Sequence, residues 1–305
     1  MKEKIQRKIL RLKEEKNALL LAHNYQIGEV QEIADYVGDS LELCIQAQKV
    51  QKNELIVFCG VDFMAETASI LNPTRKVVHP NTNARCPMAA MLPLGRLLEA
   101  KENYPKAPVV LYVNTLAEAK AEADITCTSA NAVKIIENLP RETVLFGPDR
   151  NLVWYAQQKI KDKKIIPVPE DGYCNVHRFL GSGAEAMKLK KKFPEAELLV
   201  HPECEPEFQR KADDVLSTGG IYRRCKESDS KTFIIGTEIG MVERLRREIP
   251  GKNFYPAKEY AECAAMKRIT LENTYEALLK EEPIISVDEE VARKAYKPIR
   301  RMLQA

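Results

Sequence analysis

Three stretches of this chain repeat one another at a fixed distance. They read ALLLAHNYQIGEVQEIADYVGDS (18–40), APVVLYVNTLAEAKAEADITCTS (107–129) and AELLVHPECEPEFQRKADDVLST (196–218). Each opens on a short apolar run, passes through a helical segment to an Ala-Asp pair, and ends on a hydroxyl residue. His23, Tyr112 and His201 stand 89 residues apart at each step. So do Tyr25, Asn114 and Glu203, the pairs Ala34-Asp35, Ala123-Asp124 and Ala212-Asp213, and the triplet Ser40, Ser129, Thr218. Ordinary α/β alternation spaces strands evenly, but it does not hold one offset unbroken at independent positions. The period marks a unit built three times.

The pattern continues downstream. ELIVFCGVD, TVLFGPD and TFIIGTE are apolar runs that reach Gly60, Gly147 and Gly236, each with an acid two residues later. KVVHPNTNARC, KIIPVPEDGYC and NFYPAKEYAEC then arrive at Cys86, Cys174 and Cys263. Apolar runs alternating with amphipathic helices predict parallel sheets covered on both faces, about four strands in each unit. The fold class is therefore α/β, with three repeated, Rossmann-like αβα domains. The expected boundaries are 1–85 plus 264–305, 86–173 and 174–263. A leading helix with Ile5, Ile9 and Leu12 on one side has counterparts in LGRLLEAKENYP and AMKLKKKFP. The tail (TLENTYEALLKEE, PIISV, DEEVARKAYKPIRRML) reads as helix, short strand and helix, folding back on the first unit.

Charge and composition narrow the partners. With 47 basic and 44 acidic residues the net charge is only +3, and no basic stripe with interleaved aromatics occurs. Nucleic acid is not an expected partner. The N-terminal MKEKIQRKILRLKEEK is charged and helical, unlike a signal peptide, and no apolar run approaches membrane-spanning length. Eight cysteines without a secretion signal predict a reducing, cytoplasmic location. No CxxC pair is present, so any metal shared by thiols draws them from distant positions.

In open parallel sheets, ligands bind beyond the carboxyl ends of the strands. The residues ending each first strand, His23/Tyr25, Tyr112/Asn114 and His201/Glu203, are polar and belong there. Ser40, Ser129 and Thr218 each precede a helix-like run, in the place of an N-cap, where free N–H groups favour an anion. Three such ends around one pseudo-threefold axis suit a small ligand with several negative charges. Cys86, Cys174 and Cys263 converge on the same axis and suggest a soft metal centre, an iron–sulfur cluster or zinc. The other five thiols, Cys44, Cys59, Cys127, Cys204 and Cys225, break the register and read as buried, inert side chains. GSGAEA (181–186) has the spacing of a dinucleotide-binding loop but follows RFL, not a strand. His177 falls close to Cys174 without an assigned role.

At this level of detail the chain resembles a known family. AHNYQ (22–26), GDSLELC (38–44), NTNARCPMAAM (81–91), YVNT (112–115), CTSANA (127–132), PDRNL (148–152), GYCNVH (172–177), HPEC (201–204), LSTGG (216–220) and CAAMKRITLENTYEAL (263–278) are similar to quinolinate synthases, in order along nearly the whole sequence. The resemblance implies three αβα domains in a triangle around a [4Fe–4S] cluster. It implies condensation of iminoaspartate with dihydroxyacetone phosphate to quinolinate, phosphate and water, and a possible partner enzyme that supplies the imine. It makes Cys86, Cys174 and Cys263 the cluster ligands. His23, Ser40, Tyr112, Val113, Asn114, Ser129, His201, Pro202, Glu203, Ser217 and Thr218 become substrate-binding positions, and Tyr25, Glu203 and His201 candidates for proton transfer. Two departures stand out: Asn24 where many members carry tyrosine, and Glu170 where they carry tryptophan. On sequence, neither position is expected to carry chemistry.

Overall fold

A computed structural model describes residues 2–49 and 55–305. Met1 and residues 50–54, which close the LELCIQAQKVQ run and open ELIVFCGVD, lie outside the described residues.

Helix α1 (Lys2–Glu15) leads into the first unit: β1 (Ala18–His23), α2 (Gly28–Ile33), β2 (Tyr36–Gly38), α3 (Ser40–Lys49), β3 (Leu55–Cys59), α4 (Asp62–Leu71) and β4 (Lys76–Val78). Cys86 and the short α5 (Pro87–Ala90) follow. The second unit runs α6 (Leu94–Asn103), β5 (Val109–Tyr112), α7 (Ala117–Lys120), β6 (Ile125–Cys127), α8 (Ala132–Glu137), β7 (Thr143–Gly147), α9 (Arg150–Lys159) and β8 (Lys164–Pro167). Cys174 then opens α10 (Asn175–Phe179). The third unit runs α11 (Ala184–Lys192), β9 (Glu197–Val200), α12 (Pro206–Gln209), β10 (Asp214–Val215), α13 (Thr218–Glu227), β11 (Thr232–Gly236), α14 (Ile239–Glu248) and β12 (Asn253–Pro256). A 3-10 turn at Met266–Arg268 comes after Cys263, then α15 (Leu271–Lys280) and α16 (Glu289–Gln304).

The three units build three four-stranded parallel sheets of one topology, β2-β1-β3-β4, β6-β5-β7-β8 and β10-β9-β11-β12. The repeat expected from the sequence is therefore three αβα layers. Every residue of β1 and β3 is buried, as a sheet covered on both faces requires. In each sheet the order reverses between the first and third strands, which opens a crevice at their carboxyl ends. The recurrent aspartates are part of this construction. Asp35, Asp124 and Asp213 each accept the N–H of a first-strand residue (Leu20, Val109, Leu198) at 2.7–2.8 Å and return their own N–H to that residue's carbonyl. They lock the second strand beside the first.

The tail divides. Helix α15 packs on α1 and β3, whereas α16 lies on β6 and α7 and also touches α4 and α3. Its buried Ala295, Ile299 and Met302 enter the one apolar core shared by the first two sheets. PIISV forms no strand of its own; it makes a single antiparallel bridge, Val78 to Ile284, along the edge of β4. Pro283 has no N–H to continue a ladder.

Candidate active site

One cavity is lined from all three units. His23, Tyr25, Ser40, Tyr112, Asn114, Ser129, His201, Glu203 and Thr218 face it, as do Cys86, Cys174 and Cys263. Val113, Pro202 and Ser217 do not line it. Among the described residues the wall contains neither lysine nor arginine, and two acids, Asp39 and Glu203, so the donors it offers an anion are neutral hydroxyl, amide and imidazole groups.

The caps lie beside the expected hydroxyls rather than on them. Ser217 accepts the Gly220 N–H at 3.1 Å and caps α13. Asp39 accepts the Glu42 N–H at 2.9 Å at the start of α3, and Asn131 holds the N-cap position of α8. Shifting the cap by a residue or two leaves Ser40, Ser129 and Thr218 free to address the cavity.

Their protons are directed by neighbours. The backbone N–H groups of Tyr25 and Glu203 donate to Nδ1 of His23 and His201 at 3.2 and 3.3 Å, the same local turn in two units. Both rings must therefore carry hydrogen on Nε2. Burial pushes both imidazoles down to about 3, so they are neutral. His201 Nε2 donates to Ser129 Oγ at 3.2 Å, leaving the Ser129 hydroxyl to donate elsewhere. Thr218 is set in the same way. Asn24 is sealed from solvent, its Nδ2 donates to Thr218 Oγ1 at 2.8 Å, and its Oδ1 is fixed by Arg244 Nη1. Asn24, set aside on sequence, thus supports a cavity-facing hydroxyl. Asn114 Oδ1 is buried without a protein partner, an acceptor suited to a ligand N–H or O–H.

Glu203 is the hub. One oxygen accepts from the Tyr112 hydroxyl at 2.6 Å. The other lies 2.8 Å from His177 Nδ1, a close contact outside ideal hydrogen-bond angles. His177 Nε2 is 2.9 Å from Thr237 Oγ1, and Thr237 is 2.7 Å from the Tyr25 hydroxyl. Short links thus run from Tyr25 through Thr237 and His177 to Glu203. Burial alone would raise the Glu203 carboxyl, but His177, His201 and the bond from Tyr112 pull it below the usual range. Burial and the Glu203 charge push the Tyr25 phenol well up. At neutral pH Glu203 is therefore ionised and Tyr25 keeps its proton.

Thr237 and the part played by His177 escaped the sequence reading, although a signal existed for each. Thr237 is the middle residue of the Gly-x-acid motif, where the other units carry Val61 and Pro148. His177 lies three residues after its cysteine, where they carry Ala89 and Met266.

The cysteines sort cleanly. Cys86, Cys174 and Cys263 are half-buried, whereas the other five are buried. Cys204 donates to the Gly236 carbonyl at 3.4 Å and belongs to the sheet. The backbone N–H three residues on, at Ala89, His177 and Met266, lies near each repeated sulfur and favours its thiolate. Burial raises all three thiols, and their mutual repulsion adds to it at Cys86 and Cys174; a bound cation would reverse both effects. Buried sulfurs with N–H donors aimed at them fit a metal centre. The three do not all lie within 4.8 Å of one another. A tighter group exists in Cys174, His177 and Glu203, but there the histidine and carboxylate are already engaged with each other and with Thr237 and Tyr112.

Three parallel-sheet units opening onto one buried pocket, with linked acid/base groups and equivalent thiols, define an α/β enzyme site for a small polar molecule. Which enzyme follows from comparison. The chain belongs to the family described as quinolinate synthetase A protein, whose sequence model matches residues 7–304. It is similar to the quinolinate synthase of Methanothermobacter thermautotrophicus, 56% identical over 304 residues, covering 100% of this chain and 99% of that one. The quinolinate synthase of Pyrococcus horikoshii is 55% identical over 297 residues, covering 97% of each chain. That of Thermotoga maritima is 48% identical over 296 residues, covering 97% of this chain and 98% of the relative.

Proposed function

We propose that this chain acts as a quinolinate synthase, a transferase that condenses iminoaspartate with dihydroxyacetone phosphate to quinolinate, phosphate and water on the route to NAD. In this reading Cys86, Cys174 and Cys263 hold a [4Fe–4S] cluster, one following the last strand of each sheet. When bound, such a cluster with one iron free of cysteine supplies a Lewis acid for a departing hydroxyl.

The chain's own residues carry the binding and the proton moves. The hydroxyls of Ser129 and Thr218, preset as donors, hold carboxylate oxygens, together with Ser40 and the Nε2 hydrogen of His23. Asn114 takes up a ligand hydrogen. Glu203, ionised, is the base for the isomerisation and dehydration steps. Tyr25 keeps its proton at neutral pH and returns it as the acid, with Thr237 and His177 passing protons between the two. Burial of this chain of links excludes water that would hydrolyse an imine. The domain limits 1–85 plus 264–305, 86–173 and 174–263 put one cysteine at or beside each boundary. No helix among the described residues is long and apolar enough to cross a membrane, and we place the enzyme in the cytoplasm because its thiols are free.

The observation that carries this reading is that the half-buried thiols, Tyr25 and Glu203 face the same cavity. The test is anaerobic purification with iron and sulfide counts, then assay of quinolinate from the two substrates. About four irons per chain with product formation supports it. A colourless protein with one zinc overturns the cluster, and a cluster-loaded protein that makes no quinolinate overturns the activity.

A further inference from the structure

One repeated motif is absorbed by neither the fold nor the reaction: the acid two residues after the glycine that follows or closes each third strand. Asp62, Asp149 and Glu238 make the same contact in all three units. Asp62 Oδ1 accepts the backbone N–H of Cys86 at 3.0 Å, Asp149 Oδ2 that of Cys174 at 3.1 Å, and Glu238 Oε1 that of Cys263 at 2.9 Å. A second bond runs in the opposite direction. The carbonyl two residues before each cysteine, at Ala84, Gly172 and Ala261, accepts an N–H from Asp62, Arg150 and Ile239 at 2.9–3.0 Å. Every cysteine loop is thus pinned at two points to the carboxyl end of its own sheet.

Helix capping accounts for only half of this. Asp149 Oδ1 caps α9 through the Leu152 N–H at 2.7 Å, and Glu238 Oε2 caps α14 through the Gly240 N–H at 2.7 Å. A serine or asparagine would serve as well for a cap alone. The remaining oxygen, buried in both residues, goes to the cysteine. An amide has one acceptor oxygen and presents N–H₂ in place of the other, so a carboxylate is the side chain that can do both. In the third unit the tie extends further: Lys267 pairs with Glu238 at 2.8 Å and donates to the Tyr25 carbonyl at 2.8 Å.

We propose that Asp62, Asp149 and Glu238 are positioning residues of the metal centre, each fixing one thiol by holding the N–H of the cysteine that bears it. This rests on reading those cysteines as ligands. Groups that orient ligands typically contribute about 10- to 100-fold to metal affinity. Asp149→Asn and Glu238→Gln are expected to release iron to a chelator at least about tenfold faster than wild type. They should also alter the electron paramagnetic resonance line shape of the reduced centre and leave the thermal midpoint of the metal-free chain nearly unchanged. Glu238→Asp, which installs the residue the other two units use, is expected to restore most of the retention. Asp62→Ala, at the most exposed of the three, repeats the test where folding is least at risk. Wild-type release rates and line shape in all these variants would overturn the proposal. So would faster release accompanied by an equal fall in metal-free stability, since that is what capping alone predicts. Cys174→Ala separates the underlying assumption: full iron retention there overturns the ligand reading itself.

Discussion

His177 Nδ1 lies 2.8 Å from Glu203 Oε2, with both side chains almost wholly enclosed by protein. The contact puts a carboxylate next to a ring whose other nitrogen reaches Tyr25 through Thr237. Glu203→Gln keeps the volume and removes the charge, and it is expected to lower turnover by about 10²- to 10⁴-fold. Thr237→Val breaks the link to Tyr25 without touching the cavity wall and should lower turnover in the same direction. Both variants should retain wild-type iron, read by iron count and anaerobic kcat. An unchanged rate in Thr237→Val would remove the threonine from the proton path.

Asn24 gives a polarity test. Asn24→Asp replaces a donor to Thr218 with an acceptor, so the threonine proton turns away from the cavity. A lost hydrogen bond to a charged ligand group is worth about 1.5–3 kcal/mol, which corresponds to quinolinate binding weakened by about tenfold or more. Titration calorimetry with quinolinate checks this, and equal affinity in the variant would show that Thr218 does not need its partner.

The thiols should divide three against five. In the folded, metal-free chain a small aromatic disulfide reagent is expected to label Cys86, Cys174 and Cys263, which are half-buried. Cys44, Cys59, Cys127, Cys204 and Cys225 should react only after unfolding. The five are sealed from solvent, so the reagent cannot reach them in the folded chain. Peptide mapping of the labelled sites decides it.

Lys120 supplies a pH signature. It stands at the repeat position of Gln31 and Gln209, which each bond to backbone carbonyls of their own unit. Gln31 and Gln209 also reach Gly240 and Asn151 of a neighbouring unit at 3.4 Å, and Lys120 crosses to the first unit, donating to the Phe63 carbonyl at 3.2 Å and to Thr67 Oγ1 at 2.8 Å. Burial lowers its ammonium from 10.5 to about 8. Below pH 8 the group is charged both folded and unfolded, and the burial penalty acts in full. Between about 8 and 10.5 the unfolded chain holds a proton that the folded chain has released, so stability rises with pH, by on the order of 3 kcal/mol at most. Lys120→Met should lack that rise. Urea unfolding of both chains across pH 7–11 reads the difference, and parallel curves would exclude Lys120 as the titrating group.

Much of this molecule was legible because duplication writes itself at one offset. The strands, the Asp35–Asp124–Asp213 locks and the three cysteines each appear three times, so coincidence could be set aside residue by residue. What stayed hidden is what the units do differently. Thr237 and His177 occur in the third unit and at the second cysteine alone, and a repeat search discounts such departures. Asn24 looked like a subfamily variation because its partners, Thr218 and Arg244, lie 194 and 220 residues away. The caps were misplaced by a residue or two for a plainer reason: serine, threonine, aspartate and asparagine all cap well, and adjacent candidates can be separated only by backbone geometry.

Helix α16 sets the timing of assembly. Arg301 donates to the Asp124 carbonyl, Thr126 to the Pro298 carbonyl, and Asn131 to the Met302 carbonyl. Strand β6 therefore meets its cover some 160 residues after its own synthesis. During translation the second sheet waits with an apolar face uncovered while the entire third unit is made, and that interval, rather than the folding of any one unit, is when a nascent chain of this kind most needs a chaperone.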